Sequence, residues 1–108
     1  MKKPLLYRIV KYILRTKFNK PIVIPYSKAI PFLTHKDFDL KEYVIPTIIP
    51  NWDHSPRSGG NAVILHNSTP KYFKKHCEDV LNIVKKKNNK IIFLKSWNEW
   101  GEGNYMEP

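Results

Sequence analysis

Two glutamates three residues apart, Glu99 and Glu102, stand in the run Trp97-Asn98-Glu99-Trp100-Gly101-Glu102-Gly103 near the end of the chain. A carboxylate pair is the usual equipment for glycosidic-bond chemistry: one group protonates the departing oxygen while the other attacks the sugar or activates the attacker. On a helical turn, residues three apart have Cβ atoms about 5–6 Å apart. That suits the close pair of a retaining mechanism, about 5–5.5 Å, although Gly101 and Gly103 leave the backbone path open. Two adjacent carboxyl groups resist double ionisation, and apolar indole neighbours disfavour charge. One of the pair is therefore expected to serve as general acid. The flat faces of Trp97 and Trp100 suit the C–H faces of a pyranose, and Asn98 can hydrogen-bond to its hydroxyls. The plainer reading makes the two indoles core and the glutamates solvated. It fits poorly, because Glu99 lies between two Trp residues directly after an apolar run, where an unpaired carboxylate is costly.

A second run, Trp52-Asp53-His54-Ser55-Pro56-Arg57, repeats the mixture of indole, carboxylate and cation. Trp52, Asp53 and Arg57 are the candidate substrate-binding residues here, as Trp97, Asn98 and Trp100 are in the first run. Glu99 and Glu102 are the catalytic candidates.

The elements that must position these runs are legible in outline. Residues 70–87 read as a helix: Thr69 can cap it, Pro70 suits its first position, and Tyr72, Phe73, His76, Cys77, Val80, Leu81 and Val84 recur at steps of three and four. Ile91 to Leu94 is a short continuous apolar run, as in a parallel strand buried on both faces. Tyr43 to Ile49 is a second strand candidate, with Pro46 marking a bulge because it cannot donate to a ladder. Between them, Pro50 to Asn61 reads as loop. Strand, loop, helix and strand over residues 43–96 make a parallel βαβ unit. In such architectures, active sites form beyond the C-terminal ends of the strands, which places both motif runs on one sheet edge. Upstream, residues 4–18 read as an amphipathic helix and Ile22 to Ile24 as a short β-branched run. Pro25 to Leu40 reads as loop with at most a helical turn. The chain is thus expected to hold a single partial domain, residues 1–42 being a helix and connecting segment and residues 43–108 the last βαβ unit.

Hydrophobic residues at 42% and charged residues at 26% describe an ordinary globular chain rather than a disordered one. The net charge is +10 and the isoelectric point about 9.8, which favours acidic partners. The lysines are spread over the N-terminal region and the 70–87 helix rather than gathered into one reading surface. Solvated helix faces are preferred to a nucleic-acid footprint, and a basic binding module for nucleic acid or anionic surfaces stands as the alternative function. Cys77 is the single cysteine, so no intrachain disulfide can form; it reads as a buried small hydrophobe in a cytoplasmic protein. Met1 to Leu6 begins like a leader peptide, but Arg8 and Lys11 interrupt the apolar run. No stretch reaches the roughly 20 apolar residues of a membrane span. His35, His54, His66 and His76 lack metal-ligand spacing, and Gly59-Gly60 is too short for a phosphate loop. Neither a metal nor another cofactor is expected.

The run Trp97 to Gly103 with Met106-Glu107-Pro108 resembles the W-N-E-W-x-E-G…E-P signature of the WbsX-type glycosyltransferases of polysaccharide biosynthesis, which are similar to glycoside hydrolase family 99. Trp52 to Arg57 resembles the W-D-N-T-x-R loop that precedes that signature, with His54 where Asn is usual, and Pro70-Lys71-Tyr72 matches the following helix start. The resemblance covers roughly residues 43–108. It implies a (β/α)8 barrel of TIM type whose last strands are supplied by residues 43–96. It further implies lipopolysaccharide or polysaccharide synthesis, a glycan or sugar-nucleotide substrate, Glu99 as base on the sugar 2-hydroxyl and Glu102 as general acid/base. A whole barrel needs at least about 200 residues. This chain is therefore expected to be a C-terminal part, whether a gene fragment, a degraded gene or a split piece whose remaining strands lie on another chain, and to be inactive alone.

Overall fold

The structure, a computed structural model, describes residues 5–107, and the side chains of all of these except residues 15–17. Met1 to Pro4, which hold most of the leader-like start, and Pro108 fall outside the described parts.

Helix α1 (Leu5–Phe18) forms where the three-and-four spacing of Leu6, Ile9, Val10, Ile13 and Leu14 predicts it. Strand β1 (Ile22–Pro25) follows. The next segment corrects the expectation of a loop. It holds α2 (Tyr26–Leu33) and the short α3 (Lys36–Asp39). Tyr26, Ala29 and Ile30 stand at helical spacing and all three are buried, so burial of one stripe overrides the helix-breaking tendency of Pro31. Strand β2 is only Thr47–Ile48, shorter than the expected 43–49.

The Pro50–Asn61 stretch is also more ordered than expected. It contains β3 (Trp52–Asp53), the single turn α4 (Ser55–Ser58) and a 3-10 turn at Gly59–Asn61. Strand β4 (Val63–His66), unassigned from sequence, comes next. It is the centre of a three-stranded sheet of order β1-β4-β3. It runs parallel to β1, with Ile22 opposite Val63, and antiparallel to β3, with Trp52 opposite Leu65. The antiparallel β3 departs from the all-parallel expectation.

Helix α5 (Pro70–Val84) is capped by the Thr69 hydroxyl, which accepts from the Tyr72 N–H at 3.4 Å. It turns His76, Val80, Ile83 and Val84 inward, and each aliphatic side chain fully buried in this way contributes about 1.5–3 kcal/mol. Strand β5 (Phe93–Leu94) then pairs in parallel with β2. Pro46 takes part through its carbonyl, which accepts from the Phe93 N–H at 3.0 Å. The expected parallel pair flanking α5 is therefore present, but β5 is not buried on both faces: Phe93 is 55% exposed. The chain closes with β6 (Asn98–Glu99), a 3-10 turn (Trp100–Glu102) and β7 (Asn104–Tyr105), an antiparallel hairpin.

The core lies between α2 and α5, with Tyr26, Ala29, Ile30, Val80, Ile83 and Val84 buried. Polar groups there hold the backbone beside β2. The Tyr26 hydroxyl donates to the Ile49 carbonyl at 2.5 Å, and His76 Nε2 accepts from the Ile49 N–H at 3.2 Å. Burial pushes the Tyr26 phenol far up and keeps it protonated. Burial also lowers the His76 pKa, against a smaller opposing pull from Asp79. Because Nε2 accepts, the neutral ring carries its proton on Nδ1, a buried atom with no hydrogen-bond partner. Cys77 is half-buried rather than fully buried, and burial pushes its thiol up. Among the described residues, no helix is long and apolar enough to cross a membrane.

Candidate functional site

Strands β2 and β5 are parallel neighbours, so the segments that follow them leave the same edge. The first carries Asn51 to Arg57 and the second Lys95 to Glu107. The two are stitched together. Asn104, fully buried, donates its side-chain amide to the Asn51 carbonyl, and the Tyr105 N–H donates to Asn51 Oδ1 at 2.9 Å. Gly103 packs directly on Asp53: a Cβ there would stand 2.8 Å from the Asp53 Cβ, and φ is +53°. Close approach and a left-handed backbone thus both call for glycine. The Ser96 hydroxyl donates to the Asn104 carbonyl and accepts from the Glu99 N–H at 3.0 Å, bracing the hairpin that presents both glutamates.

Arg57 reaches across from the first segment to both carboxylates. Its Nη1 is 3.2 Å from Glu102 Oε1 and its Nη2 is 3.9 Å from Glu99 Oε1. Lys95 approaches the other Glu102 oxygen, Oε2, at 3.4 Å. The Glu102 side chain is only 17% exposed, against 43% for Glu99. The same Lys95 ammonium lies 5.5 Å from the centre of the Trp52 ring, within cation–π range.

These contacts correct the expectation of an apolar pocket around the carboxylates. The neighbours of Glu102 are two cations, and the rings of Trp97 and Trp100 are 56% and 57% exposed. Neither indole belongs to a core. Their N–H groups are both spent on Glu107: Trp97 donates to its carboxylate at 2.5 Å and Trp100 to its carbonyl at 3.0 Å. Both indoles are thus held by their N–H groups while more than half of each residue's surface stays exposed.

The remaining candidates are placed as follows. Trp52 is half-buried, with its ring 5.7 Å from that of His54. His54 in turn hydrogen-bonds with the Ser58 hydroxyl at 3.1 Å. Asp53 uses Oδ1 locally, accepting from the Ser55 N–H at 2.9 Å and from the Ser55 hydroxyl, so it shapes the loop before it meets any ligand. Asn98 is exposed, opposite Tyr105 in the hairpin.

Three residues that matter here were not singled out from sequence. Lys95 ends the apolar run of β5, and a cation at the C-terminal end of a parallel strand was the available signal. Glu107 belongs to the Met106-Glu107-Pro108 part of the motif, where its anchoring of two indoles had no sequence signature. Asn51 immediately precedes Trp52.

A cleft of about 400 Å³ is lined by Trp52, Asp53, His66, Trp100 and Tyr105 among others, but by neither Glu99 nor Glu102. A larger groove, about 630 Å³, runs between α2 and α5 and holds no residue of the Trp52–Arg57 or Trp97–Gly103 runs. The smaller cleft holds two of the motif indoles, Trp52 and Trp100, with Asp53 and Gly103. Among the described residues, no three His, Cys, Asp or Glu side chains are grouped as metal ligands would be.

Comparison with known proteins agrees with the motif reading. The family model described as "Glycosyltransferase WbsX" matches residues 3–108. Two curated proteins named "Uncharacterized protein WxcX", from Xanthomonas campestris pv. campestris strain B100 and from a second strain of that organism, are each 33% identical over 73 residues. The matched stretch covers 64% of this chain and 10% of each relative, so the chain spans about a tenth of the length of the curated relatives it matches. No solved structure matches.

Proposed function

The chain belongs to the WbsX family of glycosyltransferases, and from that membership we propose that residues 43–108 form the catalytic end of a (β/α)8 barrel acting on glycosidic bonds in polysaccharide or lipopolysaccharide biosynthesis. The observation that carries this reading is the Arg57 guanidinium bridging Glu99 and Glu102, because it unites the two motif runs in one site. The parallel β2 and β5 on either side of α5 suit a barrel, and the exposed Phe93 on β5 suits further strands, on this or another chain, that would cover it.

In this reading the indoles of Trp97 and Trp100 stack on the sugar, while Trp52, Asp53 and Asn98 line the approach. Sugar entry separates Arg57 from the carboxylates. Glu99 takes the proton of the 2-hydroxyl as that oxygen closes on the anomeric carbon. Glu102 delivers a proton to the departing oxygen as its bond to the anomeric carbon breaks; it later removes one from the incoming acceptor, which opens the three-membered ring as Glu99 returns its proton to the 2-oxygen. This is the route of glycoside hydrolase family 99, carried over from the motif. Whether the acceptor is water or a second sugar sets hydrolysis against transfer, and the family favours transfer. The lone thiol of Cys77 fits a cytoplasmic place of action.

The test uses the three Trp residues of the chain, Trp52, Trp97 and Trp100, all of which lie in the site. Indole fluorescence is titrated with sugar nucleotides and oligosaccharides, and turnover by a complete barrel containing this segment is followed as released nucleotide or new reducing ends. Glu99→Gln and Glu102→Gln should each lower turnover by about 10²–10⁴-fold with little change in the fluorescence titration. Full activity in both variants refutes the assignment.

A further inference from the structure

We propose that α1 is a docking surface for an anionic lipid bilayer. Two observations meet on it. The first is an apolar face left open: Leu6 is 72% exposed, Leu14 50%, and Ile9 and Val10 45% each. These side chains recur at helical spacing on one side of α1, whereas Arg8 and Lys11 fall on the other. The helix meets the rest of the protein chiefly at the Gly59–Asn61 turn, beyond its own C-terminal end. There the Asn19 carbonyl passes so close to Gly60 that any Cβ would overlap it.

The second observation is charge. Residues 1–36 contain nine Lys or Arg and no Asp or Glu, while residues 37–108 contain ten against nine. Nearly all of the net charge of +10 therefore belongs to the first third of the chain. Helix α5 shows the contrast. Its lysines meet acids one turn on, Lys74 with Glu78 and Lys75 with Asp79, as on a solvated helix face. Helix α1 has no acidic residue to offer its cations. A helix with cations on its polar face and aliphatic and aromatic side chains on the other has the build of one lying in the plane of a membrane interface. An acidic lipid surface meets both requirements together: its headgroups take the cations and its acyl boundary takes the apolar face. Nucleic acid meets only the first, and a second copy of this chain, equally basic, only the second.

The test is co-sedimentation of the full chain with phospholipid vesicles. Vesicles with about 30% phosphatidylglycerol should bind it at least tenfold more tightly than pure phosphatidylcholine, since each basic residue near such a surface is worth roughly a fivefold factor. Raising salt from about 0.1 to about 0.5 M should largely release it. Arg8→Gln with Lys11→Gln should weaken binding roughly twentyfold. Ile9→Ser with Val10→Ser should weaken it too, at unchanged charge, with far-UV circular dichroism unaltered. The inference is overturned by equal affinity for neutral and anionic vesicles. It is overturned by a serine pair that leaves binding intact, which would mean charge alone. It is overturned by tighter binding to DNA or RNA than to the vesicles, or by a dimer that the serine pair dissolves while vesicles fail to bind. Should either double variant fail to fold, the lipid and salt dependence of the unaltered chain decides.

Discussion

His76 is where a single substitution tests the account of how the site is held. Its Nε2 accepts the Ile49 N–H at 3.2 Å while the Tyr26 hydroxyl donates to the Ile49 carbonyl, so both polar groups of the residue before the Pro50–Arg57 segment are tied to buried side chains. His76→Leu leaves the Ile49 N–H without its acceptor. Orphaning a buried donor costs about 1–3 kcal/mol, and the lost edge-on packing with Tyr26, ring centres 6.5 Å apart, adds about 0.5–1.5 kcal/mol. Removing the unpartnered Nδ1 offsets part of this. A net loss of about 1–3 kcal/mol should lower the melting midpoint by about 4–24 °C, given about 4–8 °C per kcal/mol in a domain of this size. The pH dependence gives a second signature. Burial lowers the His76 pKa from its ordinary 6.5. The unfolded chain therefore takes up the proton first, and stability rises with pH through that range. His76 makes its full contribution above about pH 6.5 and loses it as the pH falls through the lower folded-state value. Asp79, which pulls the other way, reduces the effect without reversing it, and the Tyr26 phenol stays neutral throughout. Urea melts of the wild type, His76→Leu and His76→Gln at about pH 7.5 and about pH 5.5 measure it. The wild type should lose more stability on acidification than either variant, and His76→Gln, which keeps an acceptor, should fall between the other two at the higher pH. Equal acid sensitivity in all three would refute both the tautomer and its burial.

Two further outcomes follow from the site. Arg57→Met should change unfolding free energy by less than about 1 kcal/mol, because the Arg57 side chain is largely exposed and Lys95 remains paired with Glu102. It should nevertheless alter the indole fluorescence response to glycan, since the bridge between the two segments is gone; an unaltered titration would show that the bridge does not shape the site. Gly103→Ala should destabilise by about 1–3 kcal/mol, combining a strained φ of +53° with a clash against Asp53. A thermal midpoint matching that of the wild type would contradict the close packing of the two segments.

The helix at Pro70 was legible because its signals are local: a hydroxyl cap, a proline at the first position, and an apolar stripe over four turns. Its end was not. The pattern carries it on to residue 87, yet it stops at Val84, and Lys87 is buried and donates to the Val44 carbonyl of a distant segment. Strand β4 escaped because three apolar residues behind a glycine-rich turn carry no period, and its place in the sheet comes from β1 and β3, far along the chain. Helix α2 escaped because Pro25 and Pro31 are read as breakers, and only the burial of Tyr26, Ala29 and Ile30 outweighs them. In the site, residue types announced the two motif runs and strand polarity brought them together. Arg57 was singled out, but its pairing with the glutamates was invisible, because an ion pair across 45 residues, such as Arg57 with Glu102, leaves no mark on spacing.

That hidden charge pattern changes what the net charge of the chain means. At the site, Glu99 and Glu102 face Arg57 and Lys95, so the charges of this cluster cancel. The edge where a sugar would be processed is therefore not where the basic character of the chain is spent. It resides in residues 1–36, and the helix within that region rests on Gly59–Asn61, two residues beyond Arg57 in the sequence. Attraction to an anionic surface and chemistry on a neutral sugar need opposite electrostatics. They coexist when one is confined to a helix and the other to a balanced cluster beside its point of attachment. A bilayer gripped by α1 would bring lipid-borne glycan close to the carboxylates without placing any excess positive charge among them.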